Sequence, residues 1–121
     1  MSMKLLTSDI RERLLRNGRL QRQCTEQGEA EPDFLPVVKL FTPDGGCTWL
    51  LTELDPDDPD IAFGLCDLGM GCPETGSVRI SELESVRCRL GIPVERDLNF
   101  MPTKTLSAYA DEARAHGAIR A

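Results

Sequence analysis

The groups in this sequence with the most capacity for chemistry are its carboxylates. Asp44, Glu53, Asp55, Asp67, Glu82, Glu84, Glu95 and Asp97 fall at expected strand ends, turns and a helix start. Two or three carboxylates converging on one point form a hard-oxygen cradle for a divalent cation, and bound magnesium would activate water for phosphodiester hydrolysis. Asp44, Glu53 and Asp67, or Glu95 with Asp97, are the sets that suit a metal-dependent nuclease. The run Asp55-Pro56-Asp57-Asp58-Pro59-Asp60 resembles a calcium loop in composition only. It lacks the central glycine, places Cys66 where a bidentate glutamate belongs, and has proline at two intervening positions. The better reading is an exposed acidic loop, because proline forbids ladder pairing and carboxylates favour water.

Other chemistries are poorly supplied. The chain has one histidine, His116, and five cysteines (Cys24, Cys47, Cys66, Cys72, Cys88) with no CxxC pair. Zinc, a cysteine–histidine nucleophile and a redox couple are therefore disfavoured, and the thiols read as reduced packing residues. No GxSxG elbow, phosphate loop or dinucleotide fingerprint occurs. No catalytic residue, metal or cofactor is expected. Trp49 suits either an exposed binding anchor or the largest piece of the core, and burial preferences favour the core.

Charge narrows the partner. The net charge is -6, but residues 1–24 carry Lys4, Arg11, Arg13, Arg16, Arg19 and Arg22 against Asp9 and Glu12, a balance of +4. Residues 51–84 carry nine acids against Arg79 alone, a balance of -8. An acidic surface repels phosphate backbones, so direct duplex DNA binding is disfavoured and a protein partner with a basic surface fits better. Candidate partner contacts are Asp55, Asp57, Asp58 and Asp60, with Trp49 and the run Glu95-Arg96-Asp97.

These residues need a scaffold. With 121 residues, 40% hydrophobic, the chain suits one domain spanning 1–121. No stretch approaches the roughly 18 apolar residues of a membrane span, and the N-terminus lacks a secretory pattern, so a cytoplasmic location is expected. A first helix starts at Thr7 or Ser8 and stops at Asn17-Gly18, unless Arg19 to Glu26 extends it. The polar stretch 19–36 otherwise reads as a mobile connection. Val37 to Thr42 and Cys47 to Leu54 form a hairpin around Pro43-Asp44-Gly45-Gly46, with Val38 and Leu40 on one face. Ile61 to Leu68 and Gly76 to Ile80 add two strands. Ser81-Glu82-Leu83-Glu84 has the reciprocal capping pattern of a helix running to Leu90, closed by Gly91 and Pro93. Val94 to Phe100 supplies an edge strand. Within the tail 103–121, Leu106 to His116 forms a helix with Leu106, Tyr109, Ala110 and Ala113 on one side. That small apolar face suits loose docking or self-association as a homodimer. The expected fold is a small α+β domain with a mostly antiparallel sheet of four to five strands, a capped helix on one face and short terminal helices.

Five ordered blocks carry a family resemblance: FTPDGG-x-TW at Phe41 to Trp49, TE at Thr52-Glu53, FGL at Phe63 to Leu65, SELESVR at Ser81 to Arg87, and G-x-P-x-ERD-x-x-F-x-P from Gly91 to Pro102. Together with the K-L-L-T opening, they resemble the bacterial family called domain of unknown function 2958, over roughly residues 36–102. The resemblance implies an accessory protein of plasmids, integrative elements or phages. Members are commonly labelled single-stranded DNA endonucleases, a label no motif here carries. The stretch 19–36 and the tail after Pro102 depart from the compact pattern. Two functions follow as expectations: a non-enzymatic interaction module, acting as an anti-defence factor through its acidic surface, or a metal-dependent single-stranded DNA endonuclease.

Overall fold

The computed structural model describes residues 5–88 and 90–121. Its frame is a five-stranded antiparallel sheet in the order β4-β3-β2-β1-β5, built from β1 (Val38–Phe41), β2 (Thr48–Leu54), β3 (Ile61–Asp67), β4 (Glu74–Arg79) and β5 (Glu95–Arg96). Helix α1 (Ser8–Glu26) and the short α2 (Ile80–Ser85) pack on one face, and α3 (Leu106–His116) packs on the other.

The two-sided core follows from strand alternation, because successive side chains point to opposite faces. Trp49 and Leu51 join Leu14, Val38, Leu40, Ile80 and Leu83 beneath α1 and α2. Leu50 and Leu65 point the other way, to Leu106, Tyr109, Ala110 and Ala113 of α3. The stripe expected on α3 is the one buried, so the tail is docked, and its helix ends at Gly117 with φ 76°. The alternation breaks once. Leu51 faces Gly64 whereas Glu53 faces Phe63, so β2 carries a bulge around Thr52.

The edge strands shift, β4 to Glu74–Arg79 and β5 to Glu95–Arg96 alone, and at two helix boundaries a distant residue overrides a local signal. Asn17-Gly18 does not stop α1, which runs on through Arg19 to Glu26. Gly18 is where the helix touches the sheet: a Cβ there would fall on the carbonyl oxygen of Leu54. Asn17 Nδ2 donates to the Thr52 carbonyl at 2.9 Å, fastening the helix at the bulge. The pair that reads as a helix terminator is thus the docking point, and the connection shortens to residues 27–36.

The Ser81/Glu84 capping box also does not form. Helix α2 begins at Ile80, and its N-cap residue Arg79 supplies no side-chain bond. Asp60, twenty-one residues upstream, caps it from outside: its carboxylate accepts Ser81 N–H at 2.9 Å and Ser81 Oγ–H at 2.6 Å, and its carbonyl accepts Ile80 N–H at 2.8 Å. Helix α2 then ends at Ser85, because Val86 turns extended with ψ 133°. Leu90 therefore lies off the helix and is 73% exposed. Helix α3 repeats the device. Asp33 accepts both the N–H and the hydroxyl of Ser107, and the Phe34 carbonyl accepts Leu106 N–H at 2.8 Å. Both helices are started by an aspartate that no local pattern connects to them.

Candidate binding cleft

Beside the bulge in β2 lies a cleft of about 280 Å³ between the second half of α1, the connection 27–36 and the upper sheet. Gln21 and Arg22 come from α1, Glu31 from the connection, Glu53 from the bulge, and Phe63 and Ser77 from β3 and β4. Phe63 forms an aromatic floor, 37% exposed. A shallower hollow continues past Pro32, Glu53 and Phe63 to Leu106 and Ser107 at the start of α3.

The electrostatics of the cleft are uneven. Arg22 is committed at the rim, to Asp55 at 2.9 Å and Asp57 at 2.6 Å. The Asp55 carboxyl is held below its ordinary range by the Asp57 N–H and by Arg22. Asp58 and Asp60 share Arg79, at 3.2 and 3.5 Å, and Asp60 is lowered mainly by the hydroxyl and amide of Ser81. The four loop acids are therefore largely answered from within the molecule. Glu53 is not. Half-buried, it has no ion pair among the described residues, and its pKa is raised by burial and then by the charge of Glu31, against a weaker pull from the Thr52 hydroxyl. Among the described residues, Glu31 has only the Gln21 amide, at 3.3 Å. Half-buried Glu53 thus faces the cleft beside exposed Glu31, and among the described residues the one cation lining it, Arg22, is spent on Asp55 and Asp57, which leaves the Glu53 charge costly.

A stability prediction follows directly. Because the folded-state pKa of Glu53 is raised, its contribution declines as pH climbs through the ordinary glutamate range, and it is unfavourable above that range. Glu53→Gln should raise the melting temperature by roughly 2 °C at pH 7 and leave it unchanged at pH 3.5. A melting temperature that falls at pH 7 would show that Glu53 is compensated in the folded state.

The remaining sequence candidates lie elsewhere. Trp49 is 4% exposed in the core beneath α1, the packing alternative. Glu95, Arg96 and Asp97 occupy β5 and its end, on the sheet edge opposite β4. There Asp97 pairs with Lys39 at 3.5 Å and Arg96 donates to the Leu5 carbonyl. The carboxylates named for a metal site are also separated. Asp44 accepts Leu90 N–H in the β1–β2 hairpin, and Asp67 is buried and bonded to the amides of Gly69 and Ile119. Among the described residues, no three His, Cys, Asp or Glu side chains assemble a metal-holding group. Cys66 is pushed up by burial, and Cys88 by burial and by Asp44, so neither thiol is activated.

Sequence reasoning flagged Glu53 and Asp55 but missed Gln21, Arg22, Glu31, Phe63 and Ser77. The one local signal was the pair Thr52-Glu53, polar residues interrupting an apolar strand.

A family model described as "Protein of unknown function (DUF2958)" matches residues 5–120. The chain belongs to this family. The DUF2958 match reaches well beyond the blocks at 36–102. It takes in α1 with the stretch 19–36 and α3 in the tail, both read from sequence as departures from the family pattern. The cleft is therefore built wholly from DUF2958 domain residues. No curated protein and no solved structure matches the chain. Among the described residues, no helix is long and apolar enough to cross a membrane.

Proposed function

We propose that this DUF2958 chain is a non-enzymatic interaction module whose acidic cleft receives a cationic side chain from the basic surface of a protein partner. The observation that carries the reading is the Glu31–Glu53 pair: a half-buried and an exposed carboxylate line one cleft and neither has an ion pair among the described residues, so an incoming ammonium or guanidinium would relieve the repulsion. Phe63, exposed in the same lining, supplies an aromatic ring within reach of such a cation. Asp55, Asp57, Asp58 and Asp60 form the acidic rim that would steer a basic partner toward it. The family resemblance supports a setting in a bacterial mobile genetic element, with the module acting in the cytoplasm as an anti-defence factor.

The test is quantitative capture from lysate of the native host, read by mass spectrometry, comparing wild type with Glu31→Lys/Glu53→Lys. Wild type should enrich a partner with a basic surface, and the double variant should lose at least about tenfold of that enrichment. Asp57→Lys/Asp58→Lys, which spares the Asp60 cap, should weaken capture less and make it less sensitive to salt. Equal capture by wild type and the cleft variant would sink the reading.

A further inference from the structure

We infer that a second groove, nearer the start of α1, binds a carboxylate-bearing, aliphatic peptide segment. It holds about 290 Å³ between Arg13 and Arg16 of α1 and a wall that includes Phe34, Leu35, Pro36 and Pro102. Arg13 and Arg16 lie one helical turn apart and both are exposed. Farther along the helix, Arg19 pairs with Glu12 and Arg22 with Asp55 and Asp57, whereas Arg13 and Arg16 have no ion pair among the described residues. Among the described residues, no acid lines the groove. In a chain of net charge -6, this is a pair of uncompensated guanidinium groups beside exposed apolar surface, with Leu35 at 50% exposure.

The lining specifies its ligand. Two neighbouring guanidinium forks match carboxylates, and proline-rich aliphatic surface matches aliphatic side chains. An extended strand that alternates the two supplies both within a few residues. A nucleic acid fits less well. The aliphatic wall of Leu35, Pro36, Val37 and Pro102 has no counterpart in a phosphate backbone, and among the described lining residues Phe34 alone offers a ring for base stacking. The inference is independent of the acidic cleft, which takes the opposite charge at different residues.

Titration of the 15N-labelled full chain with an acetylated, amidated Glu-Leu-Glu-Leu-Glu peptide tests it. Saturable amide shifts should map to residues 13–17 and to Phe34, Leu35 and Val37. The matched Gln-Leu-Gln-Leu-Gln peptide should bind at least about tenfold more weakly. Arg13→Gln/Arg16→Gln, which alters exposed side chains, should abolish the shifts while keeping a native spectrum. Glu31→Lys/Glu53→Lys should leave them intact, which separates this site from the cleft. Absence of saturable shifts at millimolar peptide, shifts confined to other residues, insensitivity to the arginine variant, or tighter binding of a ten-nucleotide oligothymidylate would each overturn the proposal.

Discussion

Gly18→Ala should be among the most damaging single-methyl changes possible in this chain. In an exposed helix the same change is stabilising, since alanine exceeds glycine in helix propensity by about 1 kcal/mol. Here the added Cβ lands on the Leu54 carbonyl oxygen, with the Leu54 carbonyl carbon at 3.0 Å and Pro56 Cδ at 3.4 Å. Backbone cannot swing aside as a side-chain tip would, so α1 must lift from β2. Lifting strains the Asn17–Thr52 bond and opens the packing of Leu14, which is fully buried. The net loss should be about 2–4 kcal/mol, read as a lower urea midpoint with an unchanged slope. Gly76→Ala, with no atom within 4 Å of the new methyl, is the control and should stay within about 0.5 kcal/mol of wild type. A neutral Gly18→Ala would refute the close contact. Because the same contact sets one wall of the acidic cleft, Gly18→Ala should also weaken partner capture more than its stability loss explains.

The second large effect concerns the two aspartates that start helices from afar. Asp33→Ala and Asp60→Ala each remove a carboxylate that accepts both the amide and the hydroxyl of a serine in the first turn. Each should lower the melting temperature by about 5 °C at pH 7. The double variant should lose the sum, since α2 and α3 lie on opposite faces of the sheet. Both carboxyls are held below their ordinary range: Asp33 mainly by the Ser107 hydroxyl, Asp60 mainly by the Ser81 hydroxyl. A depressed folded-state pKa gives stability that is complete above the unfolded value of about 3.9 and vanishes as pH falls through the folded value. Thermal melts below pH 4 should therefore bring wild type and double variant together. A gap that persists undiminished at pH 2 would mean that the aspartates act through something other than their charge.

The limits of sequence reading follow the range of the forces involved. Helix α3 was legible to the residue, stripe included, because the periodicity of Leu106, Tyr109, Ala110 and Ala113 is a local property. The β1–β2 hairpin was legible for the same reason, its turn chemistry lying within four residues. Asn17-Gly18 misled because a glycine that ends a helix and a glycine that admits a neighbouring backbone look alike in one dimension. Ser81 misled because a competent local cap lost to a charged acceptor arriving from the β2–β3 loop, two strands earlier in the chain. The cleft stayed hidden because its lining comes from four separate elements, and the bulge beside it, one extra residue in β2 opposite Phe63, is a property of strand pairing with no residue type of its own. What was visible there was only Glu53, an acid in an apolar strand.

The aspartate caps also bear on the order in which the chain can assemble as it is synthesised from the N-terminus. An 11-residue helix such as α3 is too short to persist alone in water, and α2 is shorter still. In each case the group that starts the helix is made first: Asp60 emerges before Ser81, and Asp33 emerges long before Ser107. In both helices the acceptor is therefore already synthesised when the serine of the first turn is added.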